Sequence, residues 1–191
     1  LGTLIAQLLL IGGAPGTGKS SLARRLAGRY SACLCSKDEV KELLFDALGS
    51  GDRAHSRLLS DASYAVLFAF LPRLLSAGRL LIVEANFRPG EHELPLIRAL
   101  AGAPVDVAQV LCCADPTVCA ARLADRIADA TRHPGHRDGE FDPHAAGPGA
   151  PLELPGPRFA YHSDAAGDMD WPVLCGQLDR WCTAAAGKSE R

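Results

Sequence analysis

Gly13-Ala14-Pro15-Gly16-Thr17-Gly18-Lys19-Ser20 satisfies the pattern G-x-x-x-x-G-K-[ST] at each of its fixed positions. The apolar run Leu8-Leu9-Leu10-Ile11 precedes it, and a helical spacing of Leu22, Ala23, Leu26 and Ala27 follows. Strand, glycine-rich turn and helix in that order are the setting in which this pattern forms a phosphate-binding loop. The glycines let the backbone curl so that successive N–H groups point inward, and the following helix adds its positive end. Nucleoside triphosphate contacts are therefore expected from Gly13, Ala14, Pro15, Gly16, Thr17, Gly18, Lys19, Ser20 and Ser21. Lys19 would reach the β and γ phosphates, and the Ser20 hydroxyl would ligate Mg²⁺, the expected metal partner of ATP.

Outward from the loop, the chain alternates strand and helix. Leu4–Gly12 reads as a buried strand, Lys19–Arg29 as a helix and Ser31–Cys35 as a second strand. Ser36 and Glu39 have the spacing of a capping box. Behind them Val40, Leu43, Leu44, Ala47 and Leu48 give a helical stripe, closed by Gly49-Ser50-Gly51. A longer helix is predicted from Arg53 to Ser76, with Leu58, Ala62, Val66 and Ala69 on its apolar face. Leu80–Glu84 reads as a buried parallel strand ending in an acid. Glu91–Leu100 follows as a helix and Val105–Cys113 as the fourth strand. Asp115-Pro116 is a cap and first turn for the next helix. Residues 133–157 carry prolines at 134, 143, 148, 151, 155 and 157, which leave no room for regular structure. Such a stretch inside a compact domain reads as a lid. Arg158–Ser163 is a fifth strand, and a last helix after Asp170 buries Leu174, Leu178, Trp181 and Cys182. The expectation is an α/β fold, a parallel sheet with helices on both faces.

Bulk properties exclude little but point one way. The chain has 191 residues, a size for one domain with a sizeable core, and a net charge of −2 that gives no support to a nucleic-acid partner. Leu1 stands where a complete chain would begin with methionine, which leaves room for a longer protein. The seven cysteines form no C-x-x-C pair and read as small core residues of a reducing, cytoplasmic setting. Cys33 and Cys35 are expected within a buried strand. No stretch reads as a membrane span, because Ala65–Ala85 is broken by Pro72, Arg73 and Arg79.

Three places are candidates for chemistry beyond the loop. Asp38 follows the second strand, whose C-terminal end shares a sheet edge with the phosphate loop. A carboxylate there can take the proton of a hydroxyl attacking the γ-phosphate, although an acid in a helix's first turn also serves the dipole. Glu84 is placed to hold Mg²⁺ or its water, and Asn86 and Arg88 follow at the same edge. Arg122 and Arg126 share a helical face that leads into Arg132, His133, His136 and Arg137. Arginines brought in by a lid neutralise charge spreading onto a moving phosphoryl group, and one of the helical pair can instead stack on adenine. Two histidines, His133 and His136, make a poor metal site by themselves.

The stretches GGAPGTGKSSLARRLA (12–27), SKDEVKELLFD (36–46), IVEANFRP (82–89) and RHPGHRD (132–138) resemble the small P-loop kinases. That group includes gluconate kinase, adenylylsulfate kinase, chloramphenicol phosphotransferase, zeta-toxin and polynucleotide kinase families, and the likeness is greatest to its "predicted kinase" branch. The resemblance implies a three-layer P-loop NTPase fold with a five-stranded parallel sheet in order 2-3-1-4-5. It implies one kinase domain over 1–187, a flexible lid over 130–157 and a disordered tail at 188–191. It makes Asp38 the general base and gives Lys19, Arg126 and Arg132 catalytic roles, with Arg122 on the nucleotide. The expected activity is transfer of the γ-phosphate of ATP to a hydroxyl of a small-molecule acceptor. The alternatives are an ATPase coupling hydrolysis to movement and a polynucleotide-end kinase. Motor ATPases usually carry paired acids after the third strand, whereas here Glu84 is followed by Ala85-Asn86.

Overall fold

The computed structural model describes residues 5–76, 80–136, 141–147 and 149–188. Its centre is β1 (Ala6–Gly12), in which Leu8, Leu9, Leu10 and Ile11 are all buried. β1 pairs in parallel with β3 (Leu80–Glu84) on one side and β4 (Val105–Cys113) on the other. The short β2 (Cys33–Ser36) lies outside β3, and β5 (Arg158–His162) lies outside β4. The order is therefore 2-3-1-4-5, as expected.

A strand covered on both faces needs apolar residues at every position, and β1 supplies them to two separate cores. Leu8 and Leu10 face the core built with α3 (Arg53–Leu75) and Leu96 of α4 (Glu93–Leu100). Leu9 and Ile11 face the core built with α1 (Lys19–Tyr30) and with Leu174, Leu178 and Trp181 of α7 (Asp170–Lys188). α2 (Lys37–Leu48) packs on α3 beside the sheet's β2 edge, and α5 (Pro116–Ala128) follows β4. The Asp115 carboxylate accepts from Thr117 N, which makes the predicted cap real.

Several expectations are corrected. The buried side of α3 is Tyr64, Leu67, Phe68, Leu71 and Leu75, while Leu58 and Val66 of the predicted face are exposed. The helix is apolar on more than one side, so spacing alone selects no face. α3 is long and apolar enough to cross a membrane by length and composition alone, a test that a core helix also passes, and its inner side is packed in the core. On α2 the stripe fails at Leu43 and Leu48, both exposed. Cys33 is exposed, since β2 is an edge strand. Ser36 stands at the start of α2, but its side chain makes no capping bond.

Within 130–157 a short helix, α6 (Pro143–Ala146), forms, and the end of the stretch is anchored. Leu152 and Leu154 enter the core around β1, and Leu152 is only 1% exposed. The buried Gln109 side chain reads the Leu152 backbone in both directions, donating to its carbonyl at 3.0 Å and accepting from its N–H at 2.8 Å. Gly156 sits at φ +111°, where a β-carbon would fall 2.0 Å from the Val107 carbonyl oxygen. No periodicity announces this, because two leucines and a glycine in an extended segment leave no repeating pattern. α7 continues to Lys188, the first residue of the expected tail; 189–191, Leu4 and Arg137 lie outside the described residues.

Candidate active site

The loop between β1 and α1 closes on itself. The Thr17 hydroxyl donates to the Ala14 carbonyl at 2.8 Å and Lys19 Nζ to the same oxygen at 3.2 Å. Gly13 is at φ +140°, and a β-carbon there would lie 2.3 Å from the Cys112 carbonyl oxygen. Glycine is thus needed both for the turn and for the close approach to β4. Gly18 precedes α1 with no side-chain cap, so the helix presents free N–H groups at the loop.

The loop is braced from β4 and from beyond β5. Cys112 Sγ donates to the Thr17 carbonyl at 3.0 Å, and burial pushes its thiol up to about 12, so it stays a donor. Ser163 Oγ donates to the same carbonyl at 2.6 Å. Arg122 donates to Gly16 O at 3.1 Å, Ser163 Oγ at 2.7 Å and Ser163 O at 3.2 Å, tying α5 to the loop. Ser163 was not singled out in the sequence; only its place at the end of β5, on the same sheet edge as the loop, could have flagged it.

On the other side of α1, Glu84 joins two serines. Ser20 Oγ donates to its Oε1 at 3.3 Å and Ser36 Oγ to its Oε2 at 2.8 Å. The carboxylate is 2% exposed, the most deeply buried acid of the site. Asp38, in the first turn of α2, accepts from Lys37 Nζ at 3.3 Å. Burial alone would raise its carboxyl, but Lys37, His136 and Lys19 face it and hold it below the usual carboxylate range.

Two cavities flank the start of α1. One, of about 260 Å³, is lined by Ser20, Arg24, Asp38, Glu84, Arg126 and Arg132, among others. The second, of about 390 Å³, is lined by Gly18, Ser21, Arg25, Arg122, Arg126 and Tyr161, among others. Arg126 belongs to both. The site residues expected from sequence thus gather at one sheet edge: Asp38 and Arg132 on one side of the loop helix, Ser21 and Arg122 on the other. Asn86 and Arg88 do not join them. Arg88 is exposed and paired with Asp61 at 3.6 Å and Glu91 at 3.0 Å, and Asn86 contributes its carbonyl to the Tyr64 hydroxyl.

A phosphate loop at the edge of a parallel 2-3-1-4-5 sheet, with a carboxylate after β2 and arginines on α5, defines a P-loop kinase. The chain belongs to the AAA domain family, whose model matches residues 8–138. A candidate kinase from Chloroflexus aurantiacus J-10-fl is 28% identical; the match covers 96% of this chain and 100% of that one, with a TM-score of 0.84. The adenylylsulfate (APS) kinase CysC of Mycobacterium tuberculosis, in complex with AMPPNP and APS, is 20% identical over 93% of this chain and 99% of that one, with a TM-score of 0.61. A gluconokinase from Sinorhizobium meliloti 1021 is 14% identical over 97% and 98%, with a TM-score of 0.53. The last two show a shared fold alone. No curated protein matches the chain.

Proposed function

We propose that this protein moves the γ-phosphate of ATP to a hydroxyl of a small polar acceptor. The observation that carries the reading is Arg126, which lines both the cavity containing Ser21 and Arg122 and the cavity containing Asp38. A group at that junction reaches a phosphoryl unit on its way from donor to acceptor. ATP occupies the loop and the Arg122 side; the acceptor occupies the Asp38 side.

In the reaction the acceptor oxygen attacks the γ-phosphorus and its proton passes to the Asp38 carboxylate. The bond from the γ-phosphorus to the β–γ bridging oxygen breaks, and ADP leaves with the electron pair. Lys19 and the loop N–H groups stabilise charge on the β and γ oxygens, and Arg126 and Arg132 meet the charge spreading over the transferring group. The lid role falls to the part of 130–157 that precedes the anchored Leu152, with Arg132 at its start; closure there excludes water and protects ATP from hydrolysis. Ser20 and the buried Glu84, oxygens 3.3 Å apart, suit a hard cation, and Mg²⁺ held there would supply charge neutralisation on the triphosphate. All seven cysteines are free, which supports a reducing cytoplasmic setting.

The test follows labelled γ-phosphate with a panel of hydroxyl metabolites, antibiotics and oligonucleotide 5′ ends. Acceptor-dependent transfer that disappears in Asp38→Ala is the expected result. Hydrolysis indifferent to every acceptor and retained in Asp38→Ala would establish the ATPase reading instead.

A further inference from the structure

His133 and His136 each meet a carboxylate that the fold brings from α2, far away in sequence. His136 Nε2 contacts Glu42 Oε1, and His133 Nε2 lies 3.0 Å from Asp46 Oδ1. Glu42 and Asp46 are one turn apart on α2, and the histidines are three apart on the turn after α5, so two pairs of ligand-type side chains face each other. One donor atom each from Glu42, His133 and His136 lie within 4.8 Å of one another. The His136 side chain is 7% exposed and that of His133 21%, so both rings are held rather than waving in solvent. His133 is oriented further: its ring meets Phe45 edge to face at 5.3 Å, and its Nδ1 accepts the Gly135 N–H at 3.0 Å.

We infer that Glu42, His133 and His136, with Asp46 as a fourth donor, form a site for a divalent transition-metal ion that clips the turn after α5 to α2. Two imidazoles and two carboxylates make a donor set suited to Zn²⁺ or Co²⁺ and unlike the all-oxygen set that Mg²⁺ prefers. A tetrahedral ion holds nitrogen and oxygen donors at about 2.0–2.2 Å, hence about 3.3 Å from each other. The tips of Glu42, His133 and His136, already within 4.8 Å, reach that spacing by rotamer adjustment, and Asp46, 3.0 Å from His133 Nε2, turns in from the same helix. At each histidine the ion takes the place of the proton between ring and carboxylate. In His133 that proton moves to Nδ1 and the Gly135 N–H gives up its acceptor, a local change in a turn that contains Pro134 and Gly135. The clip would join the segment carrying Arg132 to the helix carrying Asp38, since Glu42 also lines the cavity they share.

Cobalt titration tests this without any measurement of phosphate transfer, so it can fail while the kinase reading stands. The full chain is stripped with chelator and titrated with Co²⁺ in excess Mg²⁺, which occupies the phosphate-loop side. One equivalent should bind with visible d–d absorption and no thiolate charge-transfer band, and Zn²⁺ should displace it and raise the melting temperature. His133→Asn and His136→Asn should each weaken binding at least tenfold, and the conservative Glu42→Gln should do so without loss of helical circular dichroism. No saturable binding, a thiolate band from the cysteines, or unchanged binding in the folded His133→Asn/His136→Asn double variant would overturn the inference.

Discussion

Ser36 donates its hydroxyl proton to Glu84 Oε2 at 2.8 Å, and its oxygen accepts no N–H from the helix that it precedes. The residue at the cap position of α2 is thereby used to hold the buried acid of β3, whose other oxygen accepts from Ser20 of the phosphate loop. The ends of β2 and β3 and the start of α1 are connected through one carboxylate, which ties the loop to the start of α2.

Replacing Ser36 with alanine should therefore act on the acid and not on the cap. Leaving a buried carboxylate short of one donor costs about 1–3 kcal/mol. Asp115→Ala, which removes a true cap from α5, should lower stability by fraying that helix's first turn. Denaturant unfolding of both variants distinguishes the roles: Ser36→Ala with no loss of stability would show that Glu84 does not depend on this donor.

Glu84→Gln keeps the side chain's shape and one carbonyl acceptor while removing its charge. If this acid helps to hold Mg²⁺ with Ser20, the variant should stay folded yet need much more Mg²⁺ for half-maximal rate, roughly tenfold or above, in keeping with a lost ligand-shell contact. A magnesium dependence equal to that of the parent would assign Glu84 a purely structural role.

The sheet order and the phosphate loop were legible because both rest on dense local signals: a fixed eight-residue pattern and continuous apolar runs such as Leu8–Ile11. The placement of Asp38 beside the loop was legible because strand ends in a parallel sheet share one edge; Arg126 and Arg132 were read instead from a helical face and from the family resemblance. What sequence concealed is pairing across long separations. Ser36 has the local form of a cap, and only Glu84, 48 positions away, reveals its use. Glu42 and His136, 94 positions apart, meet only through the fold. Leu58 and Leu59 are equally apolar, and the helix's orientation on the sheet decided which is buried.

Arg122 and Arg126 should separate in kinetics. Arg122 holds Gly16 and Ser163, so Arg122→Ala loosens the nucleotide side; losing charge-assisted bonds should raise the KM for ATP on the order of tenfold to a hundredfold. Arg126 lies where the phosphoryl group would pass, and Arg126→Ala should lower kcat roughly 10²–10³-fold with a smaller change in KM. Steady-state rates with ATP varied would refute the division if both variants changed KM alone.

His92 makes stability depend on pH. Its ring stacks on Tyr64 at 3.9 Å, packs against Phe68 and Phe87, and accepts the Arg88 N–H at Nδ1. Burial first, then Arg88, lowers its pKa, outweighing Glu91, Glu93 and Asp61, which favour the charged ring. The unfolded chain thus binds the proton more readily, and the contribution is complete above the unfolded value of about 6.5. It is lost as pH falls from there through the lowered folded value. His92→Asn retains an acceptor for Arg88, so its melting temperature should be lower than the parent's at pH 7.5 and fall less between pH 7 and pH 5. Parallel curves for the two proteins would sink this account.

Lys37 should set the acid limb of activity through Asp38. Among the groups that depress the Asp38 carboxyl against its burial, Lys37 is the strongest, and it also donates the bond at 3.3 Å. With the folded pKa below the ordinary carboxylate value of about 3.9, the base is ionised throughout the range from mildly acid to neutral. The rate should accordingly show no Asp38-dependent fall until the pH drops beneath that value, and the stability tied to this carboxylate should be lost in the same region. Lys37→Met removes the leading favourable charge and leaves burial in place, so the carboxyl must rise and the acid limb must move toward neutrality. The pH profile of kcat, measured for parent and variant with saturating ATP and acceptor, decides the matter: an unmoved limb in a folded Lys37→Met enzyme would mean that Asp38 is held ionised by His136 and Lys19, without need of its neighbour.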